Sequence, residues 1–345
     1  MEFCSIIKNL RRKSNLTQEQ LAEKLGVSAQ SVSKWENSVT MPDIMMLPRI
    51  SEVFGVTIDD LFDLTVEQRF NRIDNRLDVE QDLPQDVFRD YEEFLKAQLK
   101  VEEHRKRATY LLAYLYWNRM DASARKVSHY ARQSIAMDPG EKNCQWMLSS
   151  AEHHAVWDWN FSNHSKAIDF YRGIVERNPD VPLPYYYLLD NLIADHRTEE
   201  ASRYLGKLKT LNGSDPVLCR CYQAHILIAR FDEAGADRII EDLLKEHPDD
   251  STVLFEAAQY YAKKCNYDRA IELYELSYQK TPRRPRFNDE LEGIADIYKI
   301  RGDFGKAAET YDRIIENIQT EWGLKDEVEL KDAQEERARL ISLIL

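Results

Sequence analysis

The sequence predicts an all-α protein, a five-helix head followed by an α-solenoid of helix pairs. Three observations predict it. Only 11 glycines and 11 prolines occur in 345 residues, about half the share of an average chain, so the frequent turns of an all-β sandwich or barrel are not supplied. The first sixty residues divide into short amphipathic stretches bounded by capping signals. Further on, an alanine-led apolar pattern returns at separations of 34, 35, 34 and 37 residues. Apolar residues make up 43% and aromatic residues 10%, enough for a packed core and too much for a disordered chain.

Bulk properties narrow the function. A formal charge of −13 excludes a protein that coats nucleic acid along its whole surface, because phosphate repels it. It leaves room for a small DNA-reading module on an acidic body. Cys4, Cys144, Cys219, Cys221 and Cys265 contain no CxxC pair, and Cys219-Arg220-Cys221 has the wrong spacing for a zinc knuckle, so reduced thiols of a cytoplasmic protein are expected. The opening Met-Glu-Phe-Cys-Ser-Ile-Ile-Lys does not read as a signal peptide. The longest apolar run, residues 111–117, falls short of the roughly 20 residues of a membrane span. No P-loop, HExxH, GxSxG or strand-borne GxGxxG is found, and His153, His154 and His164 lack metal-site spacing. No catalytic residue, metal or cofactor is therefore expected.

The head is read in chain order. Residues 3–13 carry Phe3, Ile6, Ile7 and Leu10 at helical spacing and end in Arg11-Arg12-Lys13. Thr17 and Gln20 form a capping box, in which the Thr17 hydroxyl accepts from the Gln20 amide and the Gln20 side chain returns. Leu21 and Leu25 face inward, and Gly26 supplies a left-handed close. Ser28 caps a third helix at residues 29–37, completing a helix-turn-helix. Pro42 suits the first position of a turn, Pro48 forces a restart, and a short fifth helix is expected at residues 58–63.

A family is legible in these residues. Thr17-Gln18-x-x-Leu21-Ala22-x-x-Leu25-Gly26-Val27-Ser28 is followed by Val32-Ser33-Lys34-Trp35-Glu36-Asn37, Met41-Pro42-Asp43-Ile44 and Phe54-Gly55-Val56-Thr57-Ile58-Asp59-Asp60-Leu61. Residues 3–63 so resemble the phage repressor/Cro-type (XRE) helix-turn-helix family, departing at Ser38, where the family often has glycine. In that geometry the start of the recognition helix meets base edges in the major groove. Ala29, Gln30, Ser33 and Lys34 are expected on its outer face, with Val32 and Trp35 buried. Gln30 suits adenine, Lys34 guanine, and the Ala29 methyl a thymine methyl. The resemblance supports Gln30 and Lys34 as base readers and places Gln18 and Asn37 on phosphates; Ser31, Arg11 and Lys13 complete the expected phosphate contacts. Residues 1–63 hold seven Lys/Arg against nine Asp/Glu. Reading a double-stranded operator therefore requires segregated charge, and a homodimer is expected.

Behind the head, Val66, Phe70, Ile73 and Leu77 make an a/d stripe that either pairs two chains or packs on the next domain. Another helix is expected at residues 85–107. The repeats then follow: Ala167/Tyr171/Ile174/Pro179, Ala201/Leu205/Leu208, Ala236/Ile240/Leu243/Pro248, Ala270/Tyr274/Ser277/Pro282 and Ala307/Tyr311/Ile314. This spacing resembles the tetratricopeptide repeat. A divergent first unit is expected at residues 108–139, an aromatic insertion at 157–161 packing between repeats, and a capping helix at 326–345. The domain reading is 1–63 for the head, 64–104 for a helical linker with a possible dimerisation role, and 105–345 for the solenoid.

The first helix of each repeat lines the inner face of such a solenoid. Tyr186, Asp190, His225, Gln259, Lys263, Asp296 and Lys299 are expected there, with Asn191 beside them as a clamp for a peptide backbone. The architecture resembles bacterial peptide-pheromone-sensing regulators of the Gram-positive type. It implies a transcriptional regulator with a peptide or protein effector; the alternative is an interaction scaffold whose head serves only to localise it.

Overall fold

The computed structural model describes residues 3–56, 58, 61, 66–155, 159–325 and 328–344, with the backbone alone described at 159, 161 and 328. Among them the regular structure is helical throughout. The chain forms two compact units, Met1–His154 and Ala155–Leu345. No helix among the described residues is long and apolar enough to cross a membrane.

The first unit opens with α1 (Phe3–Lys13), α2 (Gln18–Leu25) and α3 (Ala29–Glu36), then a 3-10 turn at Ile44–Met46 and α4 (Leu47–Phe54). The capping box forms as read, with the Gln20 amide 3.2 Å from the Thr17 hydroxyl and the Thr17 amide 2.8 Å from Gln20 Oε1. Gly26 closes α2 at φ 69°, and the Ser28 hydroxyl caps α3. Pro48 falls in the first turn of α4, where a missing N–H costs nothing. Ile7, Leu21, Leu25, Val32, Trp35 and Ile50 meet in one core, joined by Leu61. The expected fifth helix lies outside the described residues, Ile58 and Leu61 apart. Ser38, where the family often carries glycine, sits at φ 57°, so that preference has a steric cause.

The rest of this unit comprises α5 (Val66–Val79), α6 (Gln85–Gln98), α7 (Glu102–Met137) and α8 (Lys142–Ala151). Phe70, Ile73 and Leu77 are buried in their own chain against Leu83, Phe88, Tyr91, Leu95, Ala108, Leu111 and Leu115. The stripe is therefore an intramolecular seam. The helix expected over 85–107 breaks at 99–101. Unbroken, it would keep α6 and α7 end to end, whereas the two helices pack against each other and share one core. The divergent repeat expected at 108–139 belongs instead to one 36-residue helix followed by α8; no glycine or proline interrupts residues 102–138.

The second unit begins with the turn α9 (Trp159–Ser162) and α10 (Ser165–Arg177). The aromatic run at 157–161 lies outside the residues whose side chains are described, Asn160 apart. Antiparallel pairs follow: α11 (Leu183–Ala194) with α12 (Thr198–Leu208), α13 (Pro216–Ala229) with α14 (Glu233–Glu246), α15 (Ser251–Lys263) with α16 (Tyr267–Lys280), and α17 (Asp289–Arg301) with α18 (Phe304–Thr320). Then α19 (Val328–Ser342) packs on α18. Ala201, Ala236, Ala270 and Ala307 are all fully buried at the helix contacts, while Ala167 is half-buried. Within each pair the turn passes through a left-handed residue: His196, Phe231, Cys265 and Gly302, at φ 55°, 63°, 59° and 73°. Only the last is the residue type that suits this conformation.

Candidate nucleic-acid interface and repeat groove

The head presents α3 by locking its inner face. Val32 and Trp35 are buried in the core, and Glu36, at the end of the same helix, is buried beside them. Arg11 on α1 binds Glu36 through two nitrogens, Nε to Oε1 at 2.5 Å and Nη2 to Oε2 at 2.9 Å, while its Nη1 donates to the Leu16 carbonyl at 2.7 Å. The Gln18 amide donates to Glu36 Oε2 at 2.9 Å. Burial pushes the Glu36 carboxyl up, but donation from Arg11 and Gln18 outweighs it and holds the group below the usual carboxylate range. One buried carboxylate thus ties α1, α2 and α3 together.

This geometry sorts the residues expected at DNA. Gln30, Lys34 and Lys13 are exposed, and their side chains make no hydrogen bond or ion pair among the described residues. Ser33 and Ser31 are half-buried, with the Ser31 hydroxyl 2.8 Å from that of Ser28. Ala29, expected on the outer face, is half-buried against the core because the first turn of α3 leans on the head. Arg11, expected at phosphate, has its guanidinium committed to Glu36 and Leu16, so it braces the head instead. Gln18 is half-buried with its amide on Glu36, and Asn37 turns back to the Ser33 carbonyl at 2.9 Å.

The second unit holds a cavity of about 970 Å³ along the first helices of three repeats. Tyr186, Asp190, His225, Gln259 and Lys263, all expected on that face, line it. The sequence reading missed Tyr187, Tyr222 and Glu256, one helical turn earlier, although the repeat spacing aligns positions 187, 222 and 256 as it aligns 190, 225 and 259. Asn191 lies outside the lining and donates to the Tyr187 carbonyl of its own helix at 2.7 Å. Asp296 and Lys299 also lie outside it. The Lys299 ammonium sits 2.6 Å from Asp296 and 3.6 Å from Glu336 of α19, so the capping helix takes up that end of the row.

Burial dominates the electrostatics of this cavity. It pushes the Asp190 and Glu256 carboxyls up, against the hydrogen bond that Asp190 accepts from Tyr222 at 2.7 Å and the charge of Lys263. Burial, with Lys263 adding to it, pushes His225 down to about 4, leaving a neutral ring between Tyr222 and Tyr260. No group of three or more His, Cys, Asp or Glu among the described residues is placed to hold a metal.

Comparison with known proteins bears on both parts. The helix-turn-helix family model matches residues 7–61 and a tetratricopeptide repeat model matches 232–285. An uncharacterized helix-turn-helix transcriptional regulator of Methanocaldococcus jannaschii is 43% identical over 56 residues, which are 16% of this chain and 85% of that protein. The chain belongs to the XRE-type helix-turn-helix transcriptional regulators. The regulator is also 51% identical over 61 residues to the transcriptional activator BcrR of Enterococcus faecalis, spanning 18% of its own length and 30% of that relative's. The segment that matches the repeat model lies within the second unit. Among solved structures, the apo form of the competence regulator ComR from Streptococcus vestibularis aligns over 98% of this chain and 97% of that one, at 13% identity and a TM-score of 0.24.

Proposed function

We propose that the chain binds duplex operator DNA through residues 1–63, as a homodimer, and that the repeat groove receives a peptide or protein effector. The observation that carries the DNA reading is the division of α3. Val32 and Trp35 hold one face in the core, and Gln30 and Lys34 stand uncommitted on the other. A glutamine and a lysine so placed match the donor and acceptor patterns of adenine and guanine edges in the major groove. Lys13, exposed at the end of α1, serves phosphate. A head with a net charge of −2 over residues 1–63 gains little from bulk attraction, so two heads on two half-sites are needed for useful affinity. An effector in the groove changes DNA binding only by the difference in its affinity for two states of the protein.

Selection of bound sequences from random duplex DNA with the full-length protein tests this. A recovered palindrome with half-sites about one helical turn apart is the expected result. An unenriched pool would overturn the operator reading. Recovery of a single asymmetric site would overturn the dimer alone.

A further inference from the structure

Three rows of side chains run across α11, α13 and α15 in repeat register: Tyr187, Tyr222, Glu256; then Asp190, His225, Gln259; then Ala194, Ala229, Lys263. Adjacent helix axes pack roughly 8–10 Å apart, so three helices span about 20 Å. That is the reach of about six residues of extended chain. The groove fits a short linear ligand better than a compact one.

Its charges are unevenly committed. Lys264 is held by Asp237 at 2.6 Å and Glu233 at 3.4 Å, and Asp190 accepts from Tyr222. The side chains of Glu256, Gln259 and Lys263 make no hydrogen bond or ion pair among the described residues. Glu256 is nonetheless half-buried, and it shares the cavity with a second carboxylate, Asp190, and one free ammonium, that of Lys263. One negative charge is left without a counter-charge, in surroundings where that is costly.

A second observation points at the same place. Phe231, which lines this cavity, is 85% exposed and held at φ 63°. A bulky residue in the left-handed region is a strained outlier. Every pair turns through this region, at His196, Cys265 and Gly302 as well, so the conformation belongs to the repeat, and what is particular to Phe231 is a bulky ring left exposed on it. Phe231 stacks on His196, itself at φ 55° and also lining the cavity, with ring centroids 6.0 Å apart. Nothing in the packing of the repeats calls for a phenyl ring exposed to solvent there. As the rim of a groove it offers an apolar, π-rich surface beside the acids, and aromatic faces and carboxylates together select cations.

We propose that the groove takes an extended peptide carrying a basic side chain, its charge received by Glu256 and Asp190 and its apolar neighbours packed on the Phe231–His196 rim. This rests on the reading of the groove as an effector site. It commits that site to a chemistry: a cationic peptide of about six residues in contact.

The test is fluorescence anisotropy with the full-length protein and three labelled, end-blocked octapeptide mixtures. They are identical except for arginine, glutamine or glutamate at one central position, the others being randomised over Ala, Leu, Phe, Ser and Asn. The arginine mixture is expected to bind at least tenfold tighter than the glutamate mixture. Glu256→Gln should cut that preference about fivefold with a melting temperature no lower than that of the wild type, because the Glu256 side chain holds no partner in the fold and its charge is costly there. Lys263→Gln should strengthen binding of the arginine mixture. Phe231→Gly, which relieves the backbone, should weaken every mixture while leaving the protein at least as stable. Equal or tighter binding of the glutamine or glutamate mixture overturns the cationic reading and leaves the peptide groove standing. Binding of no mixture overturns the groove as a peptide site.

Discussion

Arg11 and Glu36, 25 residues apart in sequence, are joined by two hydrogen bonds across α1 and α3, with the Glu36 side chain fully buried. α3 is therefore held from behind by an ion pair as well as by apolar packing. Its geometry is two-point and its carboxylate takes a third donor from Gln18, the conditions under which a buried pair holds its place despite the desolvation of both charges.

Removing one partner should be costly. Arg11→Met leaves a buried carboxylate with only Gln18, and about 3 kcal/mol of head stability should be lost. The Arg11→Met/Glu36→Leu double variant should recover much of it. The Glu36 carboxyl lies below its ordinary value in the folded head, so the pair's contribution is complete above the unfolded carboxyl value. It fades as pH falls through the folded one. Hydrogen exchange of the Ile7, Leu25 and Val32 amides at pH 7 checks this; unchanged exchange in Arg11→Met would show that the pair bears no load.

At the DNA face, Gln30→Ala and Lys34→Ala should each relax base preference at one or two operator positions, costing about 1–3 kcal/mol against the best sequence. Lys13→Ala should weaken all sequences alike and flatten the salt dependence. Competition binding across a set of single-base operator variants separates the two behaviours. If neither recognition-helix change alters the ranking of the variants, α3 does not read bases.

Phe70 makes an internal prediction. It is 0% exposed, with its ring centroid 5.6 Å from that of Phe94 and 5.7 Å from that of His104. Phe70→Ala should cost about 3–5 kcal/mol in the stability of the first unit. Sedimentation of the folded fraction should match the wild type, since the ring serves the chain's own core. A stable Phe70→Ala variant with an altered association state would return the stripe to a role between chains.

The reach of the sequence follows from the range of the interactions. The caps at Thr17, Ser28 and Gly26 were legible because each is settled within a few residues. The groove positions Asp190, His225 and Gln259 were legible because the repeat spacing carries one helix face onto the next. Arg11 was misread because a basic residue at a helix end looks alike whether it meets phosphate or a carboxylate 25 positions later. The stripe at Phe70 was undecided because an a/d pattern says that a face is covered and not by what. Asp296 and Lys299 fit the repeat, but α19 breaks its symmetry and occupies their end of the row. The left-handed turns at His196, Phe231 and Cys265 carried no glycine to announce them.

Two helical glycines offer a controlled pair in the repeats. A Cβ on Gly293 would lie 2.8 Å and 2.9 Å from Cζ and Cε2 of Tyr274, whereas one on Gly206 would meet nothing within 4 Å. Gly293→Ala should therefore cost about 1–3 kcal/mol through displacement of a buried ring. Gly206→Ala should stabilise by up to about 1 kcal/mol through helix propensity. Opposite shifts in melting temperature are expected, and a stabilised Gly293→Ala would show that α16 and α17 are packed more loosely than described.

His225 supplies the pH prediction. Its folded value of about 4 lies below the ordinary 6.5, because burial and the Lys263 charge both oppose a second proton. The unfolded chain therefore takes up that proton first as pH falls. Stability from the neutral ring is complete above about 6.5 and is lost progressively toward 4. Asp190 and Glu256, both raised by burial, act in the opposite sense over the acid range, so the melting curve of the wild type alone would understate the effect. His225→Gln removes only the histidine contribution. Between pH 7 and 5 it should lose about 2 kcal/mol less stability than the wild type. The ring itself, followed by its Hε1 resonance, should titrate near 4. A midpoint near 6.5 would mean that the ring is solvated and that the groove is open around Tyr222 and Tyr260.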